Sequence, residues 1–131
     1  MDAPLLKELP SALVPSNDRR IPFPPLMLYG YIVDSERFDE LVQQKMGHSR
    51  GAIYRNTLGV MIQLRDVVHY NVKFTMVFCN GDGIFFIAIS SNWDPAPSHR
   101  LEEVVKELKA FLEVDEEPVW CLDSEKWYWT R

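Results

Sequence analysis

Between Val72 and Ser90 the chain has little conformational choice. Val72–Cys79 (VKFTMVFC) and Ile84–Ser90 (IFFIAIS) are rich in β-branched and aromatic residues, the types that fit a pleated, half-buried surface. Asn80-Gly81-Asp82-Gly83 lies between them. These are the residues that tolerate the positive φ a hairpin turn demands. The pattern predicts a β-hairpin, and with it an antiparallel sheet around which the remaining elements must pack.

Upstream, Leu26–Val33 (LMLYGYIV) is short, apolar and aromatic, as a strand should be. Asp34 and Ser35 then offer a helix cap, with Glu36, Asp39 and Glu40 in or near the first turn. Phe38, Leu41 and Val42 follow at helical spacing, and Gly47 can end the helix in the left-handed region. A second helical stripe runs through Ile53, Thr57, Val60, Met61, Leu64, Val67 and Val68. Tyr54, Leu58 and Ile62 form a neighbouring stripe, so this helix is expected to be buried on two sides; the alternation Val60, Ile62, Leu64 also permits a strand. After Asp94-Pro95-Ala96-Pro97, Ser98 is the expected cap of a third helix, with Leu101, Val104, Val105, Leu108, Phe111 and Leu112 on its apolar stripe. Val119–Leu122 predicts another strand. Residues 127–130 predict either its partner or a short helix capped by Asp123 or Ser124.

Six of the nine prolines fall within the first 25 residues. Each fixes its own φ and biases the residue before it toward extended backbone. Residues 1–25 are therefore expected as an extended, proline-rich arm with at most one helical turn near Leu5–Leu9. Ile21-Pro22-Phe23-Pro24-Pro25 could serve as a polyproline ligand for another protein. Packing of Ile21 and Phe23 on the chain's own core is the plainer reading. Residues 26–131 make one α+β domain. The expected architecture is a mainly antiparallel sheet of three to five strands with about three helices on one face, in the order β-α-α-β-β-α-β.

A length of 131 residues with 47% apolar content permits a folded core without disulfides. Cys79 and Cys121 each lie in apolar segments, and no CxxC or His/Cys cluster suggests zinc. The start, Met1-Asp2-Ala3-Pro4, lacks the charged and apolar regions of a secretory signal, and no apolar run approaches the ~20 residues that cross a bilayer. A soluble protein of the cytosol, or of the nucleus, is expected, without membrane contact. The net charge of −5 and the scatter of Lys and Arg argue against nucleic acid.

Two regions are candidates for function. His48-Ser49-Arg50-Gly51 precedes a helix start, where unpaired N–H groups can hold an anion. Ser49 would cap, Arg50 and Arg55 would fork around the anion, and His48 would add a donor; a capped polar loop explains the same residues. Trp93, Trp120, Trp127, Tyr128 and Trp129 supply the second candidate, an aromatic interface. Core packing explains them equally well. His69, Cys79 and Asp82 are the one set from which a thiol nucleophile and base could be assembled, but no local nucleophile signature accompanies them. The histidines show no metal-binding spacing, and the acidic pairs Asp39/Glu40, Glu102/Glu103 and Asp115–Glu117 read as solvated faces. No catalytic residue, cofactor or metal is expected. The functional expectation is a non-catalytic binding module that meets a protein partner or a second copy through an aromatic surface. The alternative is a small-molecule or anion-binding protein, or a small enzyme, with its pocket near residues 48–51.

Overall fold

The computed structural model describes residues 6–16, 18, 20, 22–47, 57–79 and 82–126. Among them the order is β1 (Met27–Ile32), α1 (Ser35–Met46), α2 (Thr57–Val68), β2 (Lys73–Cys79), β3 (Asp82–Ser91), α3 (Ser98–Leu112) and β4 (Val119–Asp123). The α+β class, the element order and the antiparallel sheet agree with the sequence patterns.

The hairpin runs further than the turn residues suggested. Cys79 pairs with Asp82, so the ladder takes in two of the four residues expected as turn. The strands do not stop at an open sheet. They close in the order β1-β3-β2-β4, all pairs antiparallel, with β4 bonded to β1 along four residues and to β2 only through Val77–Asp123 and Phe78–Leu122.

Closure creates two apolar compartments, and strand alternation sorts residues between them. Tyr29 and Tyr31 of β1, Phe74 of β2, and Phe85, Ile87 and Ile89 of β3 face the helices, which present Phe38, Leu41, Val42, Val60, Leu64, Val104, Leu108 and Phe111. Leu28, Val77, Phe86, Ala88 and Cys121 turn the other way and fill the barrel. A four-stranded barrel has a narrow interior, so its lining combines one large ring with small residues. Gly30 shows how narrow it is. A Cβ there would lie 1.9 Å from the Ile87 carbonyl oxygen and 3.0 Å from the Phe86 ring. Beside Gly30 the β1–β3 register slips: Tyr29 faces Ser90 while Gly30 faces Ala88, so Ile89 is the extra residue of a bulge. Such a bulge bends and twists the strand that carries it.

Caps follow the sequence in part. Asp34 Oδ1 accepts from the Glu36 and Arg37 amides at 2.9 and 3.2 Å, and Gly47 ends α1 at φ 72°. Ser98, in contrast, is the first helical residue of α3. Pro97 holds the cap position without a side-chain bond, since its ring carries no acceptor for the first-turn amides. The α2 expectation also needs correction. Val60, Met61, Leu64 and Val68 are buried, but Ile62 is 49% exposed and Val67 42% exposed, so the described part of this helix buries one face. Asp39 is buried rather than solvated.

The amino-terminal segment lies against the domain. Its one described helical turn is a 3₁₀ turn at Ser11–Leu13, not at Leu5–Leu9. Leu6 and Trp120 exchange two backbone hydrogen bonds, at 3.1 and 2.7 Å. Asn92, buried at the end of β3, is the peg. Its Oδ1 accepts from the Met27 amide at 2.8 Å, and its Nδ2 donates to the Leu13 carbonyl at 2.7 Å and the Pro25 carbonyl at 3.0 Å. Pro24 and Pro25 are buried, and Phe23 packs on Trp93 with ring centroids 5.2 Å apart.

Candidate functional site

The barrel closes unevenly. After Ser124, whose amide donates to the Met76 carbonyl at 3.3 Å, the chain leaves β2, and among the described residues no ladder pair joins Lys73–Thr75 to β4 or β1. The seam between the first residues of β2 and those of β1 opens as a cleft of about 380 Å³, within the size range of small-molecule pockets. Leu26, Leu28 and Ala88 form its apolar floor, which is continuous with the barrel interior. Tyr70, Asn71, Ser90, Ser91, Trp93 and Asp94 stand around it, with Lys73 and Lys126 at the rim.

Each wall residue is held by its own local geometry. Trp93 follows the peg Asn92; its Nε1 donates to the Pro24 carbonyl at 3.0 Å, and Phe23 packs against its ring. Ser90 Oγ accepts the Ala96 amide and Ser91 Oγ the Asp94 amide, each at 2.9 Å, which fixes the turn after β3. Accepting in this way leaves each hydroxyl its own proton to donate. Lys126 is placed by Asp123, a buried carboxylate at the end of β4. Its Oδ2 accepts from the Glu125 and Lys126 amides at 3.0 and 2.9 Å. The Lys126 carbonyl then accepts the Leu26 amide at 2.8 Å, and the Lys126 ammonium lies 5.4 Å from the centroid of the Trp93 ring. Tyr70 is steadied from outside by Arg100, whose guanidinium lies 5.6 Å from its ring centroid and also donates to the His69 carbonyl. Among the described residues, neither Lys73, Lys126 nor Asp94 has an ion-pair partner.

The expected site residues fare unequally. His48, Ser49, Arg50 and Arg55 lie outside the described residues, as do Trp127, Tyr128 and Trp129. Trp93 and Trp120 are described, and the fold places them apart. Trp93 stands in the cleft wall. Trp120 pairs with Leu6 and packs on Tyr29 with tilted rings, centroids 5.0 Å apart, away from the cleft lining. Both are half-buried and both touch the chain's own amino-terminal segment. His69, Cys79 and Asp82 do not converge through the backbone. Cys79 and Asp82 pair at one end of the hairpin, whereas His69 precedes the other end of β2, roughly 20 Å away at the usual rise of a strand. Cys121 is fully buried inside the barrel. Among the described residues no three His, Cys, Asp or Glu side chains are grouped as a metal site would need, and no helix is long and apolar enough to cross a membrane.

Away from the cleft, Tyr29 and Tyr31 have hydroxyls pushed above the ordinary tyrosine value, first by burial and then by the nearby Glu117 carboxylate. The Tyr31 hydroxyl donates to the Glu116 carbonyl at 2.9 Å, a bond its ionised form could not make.

The sequence reading passed over Lys73, Lys126, Ser90, Ser91 and the floor leucines. No local signal marks them, because they come from four separate stretches that only barrel closure brings together. Among the described residues, the fold and cleft thus define a four-stranded α+β barrel with one side open. No family model, curated protein or solved structure matches the chain.

Proposed function

We propose that the protein is a non-catalytic binding module and that its ligand enters the cleft at the barrel seam. One observation carries this reading: a concave apolar floor, built from the inner residues of the barrel, is rimmed by polar groups held in place by their own hydrogen bonds. Such a surface needs little rearrangement to receive a ligand, which keeps the ordering cost of binding low. Of the two kinds of partner the sequence suggested, a small molecule fits this cleft better than a protein surface. Trp93 and Trp120 already lean on the chain's own arm, so an aromatic protein interface would rest on Trp127, Tyr128 and Trp129.

A thermal-shift screen of the full chain against small organic compounds tests the reading. A ligand at 100 times its dissociation constant adds about 2.7 kcal/mol to the native state, a rise of several degrees for a domain near this size. Hits are expected to perturb the amide resonances of Ser90, Ser91 and Trp93. A screen without hits, or hits that all map to other surfaces, would reject the cleft as the binding site.

A further inference from the structure

We propose that the cleft selects a compact, flat organic anion, an aromatic or unsaturated carboxylate being the simplest case. The inference rests on the reading of the cleft as the binding site and adds the chemistry of the ligand. Three features point the same way.

The first is charge. The whole chain carries a net −5, yet the cleft lining holds Lys73 and Lys126 against the single carboxylate of Asp94. Neither ammonium has an ion-pair partner among the described residues. Lys126 is also held in position by backbone bonds to Asp123 and Leu26. Two cations against one carboxylate, at the rim of an apolar concavity, favour an anion over a neutral or cationic ligand.

The second is the pair of serines. Ser90 and Ser91 each accept a backbone amide and retain a hydroxyl proton to donate. The polar lining thus offers donors from two ammonium groups and two hydroxyls, a set that matches the oxygens of a carboxylate.

The third is shape. The floor of Leu26, Leu28 and Ala88 has no polar side chain, and the wall carries the Trp93 indole. A volume of about 380 Å³ lies at the lower end of small-molecule pockets. A body of one or two fused rings suits it, lying on the apolar floor beside the indole with its acid group toward the lysines.

The test is a titration of the full chain, followed by amide and indole NMR resonances, with three probes of one shape: 1-naphthoate, 1-naphthylmethanol and 1-naphthylmethylammonium. The expected result is that naphthoate perturbs Ser90, Ser91 and the Trp93 indole N–H and binds more tightly than the other two. Two exposed charge contacts of modest strength correspond to a preference of about fivefold, which added salt should shrink. The double variant Lys73→Met/Lys126→Met should remove that preference, so that the carboxylate no longer binds more tightly than the neutral probe. Both lysines are exposed, so the variant's unchanged far-ultraviolet circular dichroism and amide spectrum would confirm that it folds. If the three probes perturb the same resonances with equal affinity, or the double variant keeps the preference, the anion assignment is overturned while the cleft remains a binding site. If none of them reaches those resonances, the assignment and the cleft reading fall together.

Discussion

At the scale of single residues, three positions hold the fold together in ways their side-chain types alone do not announce. Gly30 is legible as a glycine in a strand, but its need for the absence of a Cβ comes from the Ile87 carbonyl lying where that atom would go. Gly30→Ala must push backbone against backbone in the narrowest part of the barrel. The expected loss is at least about 3 kcal/mol, at the upper end of overpacking costs, measurable as a fall in the urea midpoint. Asn92 has no sequence signature at all. Its amide satisfies the Met27 N–H and two carbonyls of the amino-terminal segment, so Asn92→Ala strands buried polar groups. We expect a loss of about 2–3 kcal/mol; a change under half of that would show that water replaces the side chain. Tyr31 sets a pH dependence. Its hydroxyl ionises above the ordinary value of 10.0 in the folded protein, so between those two values the native state holds a proton that the unfolded chain has released. Its contribution to stability is therefore fully present below pH 10 and is lost as pH rises beyond it. Denaturation midpoints followed from pH 8 upward should fall more steeply for the wild type than for Tyr31→Phe.

At the scale of elements, structure is legible in the sequence wherever a local chemical rule decides the outcome. Asp34 and Gly47 bracket α1 because a carboxylate before a helix finds free amides and a glycine tolerates positive φ. The left-handed residue ending α3 is Glu113, at φ 58°, and no residue-type rule would have selected it. It stands beside the lysine that joins the two helices. The Lys45 ammonium donates to the Ala110 and Phe111 carbonyls at 3.2 and 2.9 Å and lies 3.5 Å from the Glu113 carboxylate. A side chain from α1 thus satisfies the carboxyl end of α3, where cations are favoured by the unpaired carbonyls. Asp34→Ala should cost about 1 kcal/mol, the usual worth of such a cap. Lys45→Met keeps the apolar stem and removes the charge; it should cost roughly 0.5–1 kcal/mol, less at high salt. Thermal melts of both variants at low and high ionic strength would check the contrast, since the Asp34 bonds are shorter in range and the Lys45 effect is partly Coulombic. The apolar stripe of α2 is narrower in the structure than in the sequence pattern. Ile62, of the second stripe, and Val67, at the edge of the first, are exposed, because burial of an apolar position needs a neighbour that periodicity cannot supply.

At the scale of the whole molecule, native-state hydrogen exchange should order the structure. Amides of Phe86, Ile87 and Val77, in the β2–β3–β1 ladders, are expected to exchange only on global unfolding. The Trp120 amide, whose bond runs to the single bridging residue Leu6, should exchange faster; equal protection would mean that the arm and barrel unfold as one unit. What the sequence determined by itself was local. It set the hairpin, since β-branched runs around turn residues have one good conformation, the helices with a clear apolar stripe, the cap of α1, and the α+β order. Tertiary structure alone decided that β4 would reach both β1 and β2 and close the barrel. It also decided that Leu28, Ala88 and Phe86 would face inward together, and that Lys73, Trp93 and Lys126 would meet at the seam left open. The reason is physical. Strand periodicity says which residues share a face but not which strands are neighbours. A cleft built from four distant stretches exists only once the strand order is fixed.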